Sequence, residues 1–297
     1  SSDLSPTVHV QSTGGRMKML QFIKLFQAGN STIQQFFARG ESASGGNNLT
    51  IEQSITAQDP FFTGFVGWLL KRKFKIKLEI QMHGDFFGGY YKKQWFKLRL
   101  AKFVLKRADM VRVVGERIKN SLLKLGIEEE KIVIRPIAVD AEKIKNYQSK
   151  IDLHQKYPGY EKIFLILGRL DSVKNVKWLI EVFKEVTKQK NHLLLIVGSG
   201  VEKRNLMLHV TCYMLHDNVK FEPWTNDPAS YLKTTDCLLF PSLSEGYGLV
   251  PIEASVVGTS VIMNDVGVAN YELKPNEKVK ILPINDKDAW IKAILEV

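Results

Sequence analysis

Cysteine is scarce in this chain: 297 residues contain two, Cys212 and Cys237, far apart and in no Cys-x-x-Cys spacing. That excludes a disulfide scaffold and points to a reducing, cytoplasmic compartment. Long apolar runs are missing as well. The one extended stretch, 60–70, is too short to span a bilayer, and no charged-then-apolar signal segment opens the chain. The glycosylation-type triplets at Asn30 and Asn48 then read as chance matches. Acidic charge is thin in the first half. Residues 1–140 hold 22 Lys and Arg against 12 Asp and Glu, whereas 141–297 hold 20 against 19. Such a one-sided field suits an anionic surface: a membrane, a lipid-linked phosphate acceptor or nucleic acid.

What the chain does contain is a hydrophobic content of 44%, enough for a substantial core and more natural for two domains than for one. Its most informative stretch is 240–254. An apolar strand over 237–240 breaks at Pro241-Ser242 into the loop Ser244-Glu245-Gly246-Tyr247-Gly248, and a helical pattern begins near Leu249. Glycines at 246 and 248 let backbone come close to a ligand, and the amides of a helix start attract phosphate or polarised hydroxyls. Glu245 at the loop and Glu253 one turn into the helix can each accept two hydroxyl donors. A ligand with a phosphate in the middle and a polyol at either end, such as a nucleotide sugar, matches that layout.

Around this stretch strands and helices alternate, which predicts α/β domains with parallel sheets covered on both faces. The first half reads as strands at 49–56, 74–82, 110–114 and 131–134 with helices at 61–71, 92–107 and 116–125. Ahead of them stand a strand at 7–11, a turn at Gly14-Gly15 and a helix at 16–26. The second half reads as strands at 162–167, 192–197, 219–221, 237–240, 260–263 and 279–282, with helices starting near Asn175, Gly200, Leu249 and Asp286 and a short one ending near Tyr231. Ala108-Asp109-Met110 in the first half is echoed by Thr235-Asp236-Cys237 in the second, as two stacked Rossmann-like domains would show.

Ser-x-x-Glu-Gly-x-Gly with a second Glu eight residues after the first, then Ala, resembles the Glu-x7-Glu signature of the family 4 glycosyltransferases, retaining enzymes of the GT-B fold. Further segments are similar to the family: Gly168-Arg169-Leu170 with Lys174 five residues after the Arg, and His83-Gly84-Asp85-Phe86 with 58–64 in the first half. At the hinge, 131–140, Ile137-Ala138 replaces the usual Asn-Gly. The resemblance implies an acceptor-binding domain over 1–140, incomplete at its start, and a donor-binding domain over 141–297, lacking its last helices. Arg169 and Lys174 would hold the donor pyrophosphate, where a planar fork and a movable point charge suit phosphate oxygens. Gly246, Tyr247, Gly248, Leu249 and Val250 would cradle the donor sugar and phosphate, and Glu253 would take the ribose hydroxyls. Glu245 would face the sugar and stabilise positive charge at its anomeric carbon. His83, at a strand's C-terminal end, would face sugar and phosphate, the alternative being a buried structural histidine. Trp224 is the nucleobase candidate.

The activity implied is transfer of a hexosyl group from a UDP- or GDP-sugar to a hydroxyl of a glycan or lipid-linked acceptor, with retention, without a cofactor or metal. Nucleic acid is not an expected partner; an anionic inner membrane face is, for a cytoplasmic protein docked peripherally. A GT-B sugar-nucleotide epimerase and a catalytically incomplete donor-binding fragment are the competing functions. Asp286-Lys287-Asp288 has the Asp-x-Asp form of metal-dependent transferases but opens a helix, where Asp is a favoured N-cap. The membrane contact is expected on helix 92–107, with Lys92, Lys93, Lys97 and Lys102 beside Trp95 and Phe96.

Overall fold

The computed structural model describes residues 7–10, 54–87 and 94–297. The expectations for Gly14-Gly15, the helix at 16–26, Asn30, Asn48, Lys92 and Lys93 lie outside them. The chain divides into two compact units, Ser1–Pro136 and Ile137–Val297.

In the first unit, β1 (Thr7–Val10), β2 (Ser54–Ala57), β3 (Lys77–Met82), β4 (Met110–Val113) and β5 (Ile132–Ile134) form a parallel sheet in chain order. Helices α1 (Phe62–Phe74), α2 (Trp95–Leu105) and α3 (Glu116–Lys124) connect them. α1 runs past its expected end at 71, and β3 starts later than 74. Lys75, at a left-handed φ of 54°, closes the helix between them.

The second unit opens with two short helices that the sequence pattern did not reveal, α4 (Ala141–Lys145) and α5 (Leu153–Lys156). Each is started by an aspartate: Asp140 accepts from Lys143 N at 3.0 Å and Asp152 from His154 N at 3.0 Å. One helical turn is too short to display a period. There follow β6 (Ile163–Leu167), α6 (Val176–Val186), β7 (Leu193–Val197), α7 (Lys203–Cys212), β8 (Val219–Glu222), α8 (Pro228–Thr234), β9 (Cys237–Phe240), α9 (Leu249–Val256), β10 (Ser260–Met263), β11 (Val279–Ile281) and α10 (Lys287–Leu295). The six strands are parallel in the order β11-β10-β9-β6-β7-β8. β7 and β9 are buried throughout, as strands covered on both faces must be. Trp290 of α10 is fully buried, edge-on to Trp178 of α6 at 5.4 Å, and donates from its indole N–H to Pro283 O at 3.1 Å.

The echoed Asp109 and Asp236 have the same structural task. Each accepts the amide of the adjacent strand start, Leu78 N on Asp109 at 2.7 Å and Ile163 N on Asp236 at 2.8 Å, and returns its own N–H to that residue's carbonyl at 3.0 Å. A lysine pairs with each, Lys71 at 2.7 Å and Lys162 at 3.3 Å. The repeat is a device for starting a parallel strand, where the pairing leaves an amide without a ladder partner. Among the described residues no helix is long and apolar enough to cross a membrane.

Candidate active site

The second sheet reverses direction at β6: the chain runs outward through β7 and β8, then returns to place β9 on the other side of β6. Loops leaving the C-terminal ends of two strands at such a point diverge and open a crevice. After β6 come Gly168-Arg169-Leu170 and a tight turn, Ser172–Lys174; after β9 comes the Ser/Gly loop. The two loops are tied by Leu243 N donating to Val173 O at 2.8 Å.

Across this junction Lys174 Nζ meets Glu245 Oε1 at 2.5 Å, with the side chains only 19% and 15% exposed. The ammonium also lies 5.2 Å from the centre of the Phe240 ring. Arg169, in contrast, is 71% exposed, and among the described residues its one ion pair is to Asp171 Oδ2, at 3.4 Å. The pair expected to divide between phosphate and sugar is thus one ion pair.

Gly248 starts α9 with φ 93° and no side-chain cap, which leaves the first amides of the helix open toward the loop. Tyr247 is buried and anchors the loop through its carbonyl, which accepts from Val268 N at 2.8 Å. Residues after β10 brace the loop from behind. Asn264 donates its side-chain amide to Ser242 O at 2.8 Å. Gly267, at φ 55°, lies so near that a Cβ there would sit 2.1 Å from Tyr247 O. This bracing depends on β10 lying next to β9.

Glu253 lines a cavity of about 320 Å³ with Asp140, Tyr147, Asn226 and Asp227, all in the second unit. Its carboxylate is half-buried and has no partner among the described residues, and burial pushes its pKa above the ordinary carboxylate value. An unpaired desolvated carboxylate is an acceptor in want of donors. Asn226 and Asp227 were not singled out in the sequence. Asp227-Pro228 carries a helix-start signal, and Asp227 does cap α8 through Ser230 N at 3.2 Å. Trp224, two residues upstream of the lining, is 56% exposed and stays off the cavity wall.

The strand end behind that loop is held by a buried network. Glu222 accepts from Tyr157 and Tyr231 hydroxyls at 2.6 Å each and pairs with Lys156 at 2.8 Å. Burial raises the Glu222 pKa, yet the three donors outweigh it and the net shift is downward; both tyrosines are pushed up. Its stabilisation is therefore present above the unfolded carboxylate pKa and lost as pH falls through the lower folded value. Glu222→Gln should cost about 2 kcal/mol at neutral pH, since an amide cannot accept three donors. Urea unfolding at neutral and acidic pH checks this: the deficit should hold down to about pH 4 and shrink as pH falls below it.

In the first unit, His83 stands exposed at the end of β3, with Nε2 3.2 Å from Gln58 Oε1, so it is not a buried structural histidine. Asp286 accepts from Ala289 N at 3.0 Å and is the cap of α10.

Residues 148–297 match the family profile described as "Glycosyl transferases group 1", and 54–143 match that of "Glycosyltransferase Family 4". The chain belongs to the family 4 glycosyltransferases. It is 26% identical over 79% of its length to an Escherichia coli UDP-Gal:alpha-D-GlcNAc-diphosphoundecaprenol alpha-1,3-galactosyltransferase, covering 64% of that protein. It is 29% identical over 70% of its length to the O-antigen chain mannosyltransferase RfbU of Salmonella typhimurium, covering 56% of it. This glycosyltransferase chain therefore spans less than two thirds of these relatives. The structure of Anabaena HepE in complex with UDP superposes with a TM-score of 0.69 at 18% identity, over 81% of this chain and 67% of that one. At that identity the likeness shows the fold: two parallel-sheet α/β domains of the GT-B type.

Proposed function

We propose that this family 4 glycosyltransferase moves a hexosyl group from a UDP- or GDP-sugar to a hydroxyl of a glycan or lipid-linked acceptor, with retention of anomeric configuration. The observation that carries the proposal is the junction of Lys174, Glu245 and the open start of α9 at the β6/β9 crevice, with the unpaired Glu253 in the same unit. The donor diphosphate draws Lys174 from Glu245 and gathers Arg169. Glu253 takes the ribose hydroxyls, and Glu245, released, faces the sugar. Two cations neutralise the leaving diphosphate, so no metal is needed. The departing phosphate deprotonates the acceptor on the same face as the bond it leaves. The relative that acts on a diphosphoundecaprenol-linked sugar supports a lipid-linked acceptor. The basic excess of residues 1–140 supports an anionic surface on the inner membrane face of the cytoplasm.

Incubating the full-length protein that carries this chain with a panel of nucleotide sugars and an acceptor, in EDTA, tests the reading. The expected result is release of nucleoside diphosphate and a product with the donor's anomeric configuration by NMR. An inverted product would overturn retention, an epimerised donor would support the epimerase, and binding without release would identify a donor-binding fragment.

A further inference from the structure

Two packed helices of the first unit, α1 and α2, contain no acidic residue. Their outer surfaces share an aromatic seam: Phe65 and Trp68 lie 5.4 Å apart, and Trp68 meets the edge of Phe103 at 4.9 Å. Cations rest on this seam. The Arg72 guanidinium is 5.4 Å from the Trp68 ring centre and that of Arg107 is 3.8 Å from Phe103. Trp68, Lys71, Arg72, Phe103 and Arg107 line an open groove, and of its cations only Lys71 pairs with a carboxylate among the described residues, Asp109. Among the described residues, Arg72, Lys97, Arg99, Lys102, Lys106 and Arg107 pair with no carboxylate.

At the start of α2, Trp95 and Phe96 are 64% and 69% exposed, edge to face at 5.9 Å. Phe96, Phe103 and Arg107 fall on one helical face, seven and four residues apart, so the exposed aromatics continue the seam. A single exposed aromatic is ordinary; two together, at the end of a predominantly basic face, are the composition of an interfacial surface. The uncompensated positive charge commits the occupant to an anionic one.

We propose that the α1/α2 face docks on an anionic bilayer, its arginine-on-aromatic groove taking a lipid phosphate while Trp95 and Phe96 enter the headgroup layer. This deepens the membrane part of the proposed function and rests on it, but not on the donor chemistry. The test is co-sedimentation of the whole chain with phosphatidylcholine vesicles, with and without phosphatidylglycerol, at low and high salt, with tryptophan emission recorded. Uptake should require phosphatidylglycerol, fall with salt, and blue-shift emission; Trp95→Phe should remove most of that shift. Arg72→Gln/Arg107→Gln should lower partitioning about 30-fold, at roughly a factor of five for each engaged cation. The thermal midpoint of each variant confirms folding. No uptake, or uptake unchanged in the double variant, overturns the proposal. So does binding of soluble glycerol phosphate at this groove without vesicle uptake, which would mark a soluble-anion site. Nucleotide release is followed in the same samples: its failure with docking intact counts against the transfer chemistry alone.

Discussion

Lys174→Ala is expected to weaken nucleoside diphosphate binding about 50-fold, as loss of a charge-assisted bond to phosphate does. Monophosphate affinity should fall far less, because the lysine serves the phosphate farther from the ribose. The variant has a second cost. Glu245, only 15% exposed, loses the ammonium that holds it at 2.5 Å and becomes a half-dehydrated charge without a partner. The unliganded protein should therefore unfold at lower urea, and adding Glu245→Ala to the same chain should recover part of that loss. Calorimetry with mono- and diphosphate separates the ligand effect, and a double-mutant cycle isolates the ion pair. Equal losses for the two nucleotides would show that Lys174 does not reach the distal phosphate.

Glu253→Gln should act in opposite directions on binding and on folding. Ribose would lose a charged acceptor and meet a mismatched amide, so nucleotide affinity should drop roughly tenfold to 100-fold. The unliganded fold, however, should gain stability. The folded carboxyl has its pKa raised by burial, so its ionisation disfavours the native state, by nothing below the unfolded pKa and in full above the folded one. Glutamine carries no such charge. The variant should thus melt higher than the parent at pH ~7 and about equally near pH ~3, below the unfolded pKa, where the glutamate is protonated in both states. Differential scanning fluorimetry with and without UDP or GDP reads both effects in one plate. A melting temperature that falls on substitution, or a nucleotide-induced shift as large as the parent's, would remove Glu253 from the ribose role. A binding group left unpaired in the free protein is a common way for function to cost stability.

The two glutamates look equivalent in the sequence, eight residues apart in one motif. The fold makes them different: Glu245 is neutralised by a lysine from another loop, and Glu253 faces a cavity without a partner among the described residues.

By itself the sequence determined what is local. Strand and helix order follow from period and composition, and 260–263 was placed to the residue. The strand-start aspartates were visible as a repeat, the aspartate cap of the last helix as a start signal, and the positive excess of the first half by counting. α4 and α5 escaped because one turn carries no period. The tertiary structure decided everything that depends on strand order. Periodicity says that a strand is buried on both faces but not which strands flank it, so the return of β9 to the side of β6 could not be foreseen. That placement brings Lys174 onto Glu245 and sets the residues after β10 behind the Ser/Gly loop. Burial decided the rest: a carboxylate's charge is written in the chain, but whether it is solvated, paired or stranded depends on neighbours distant in sequence.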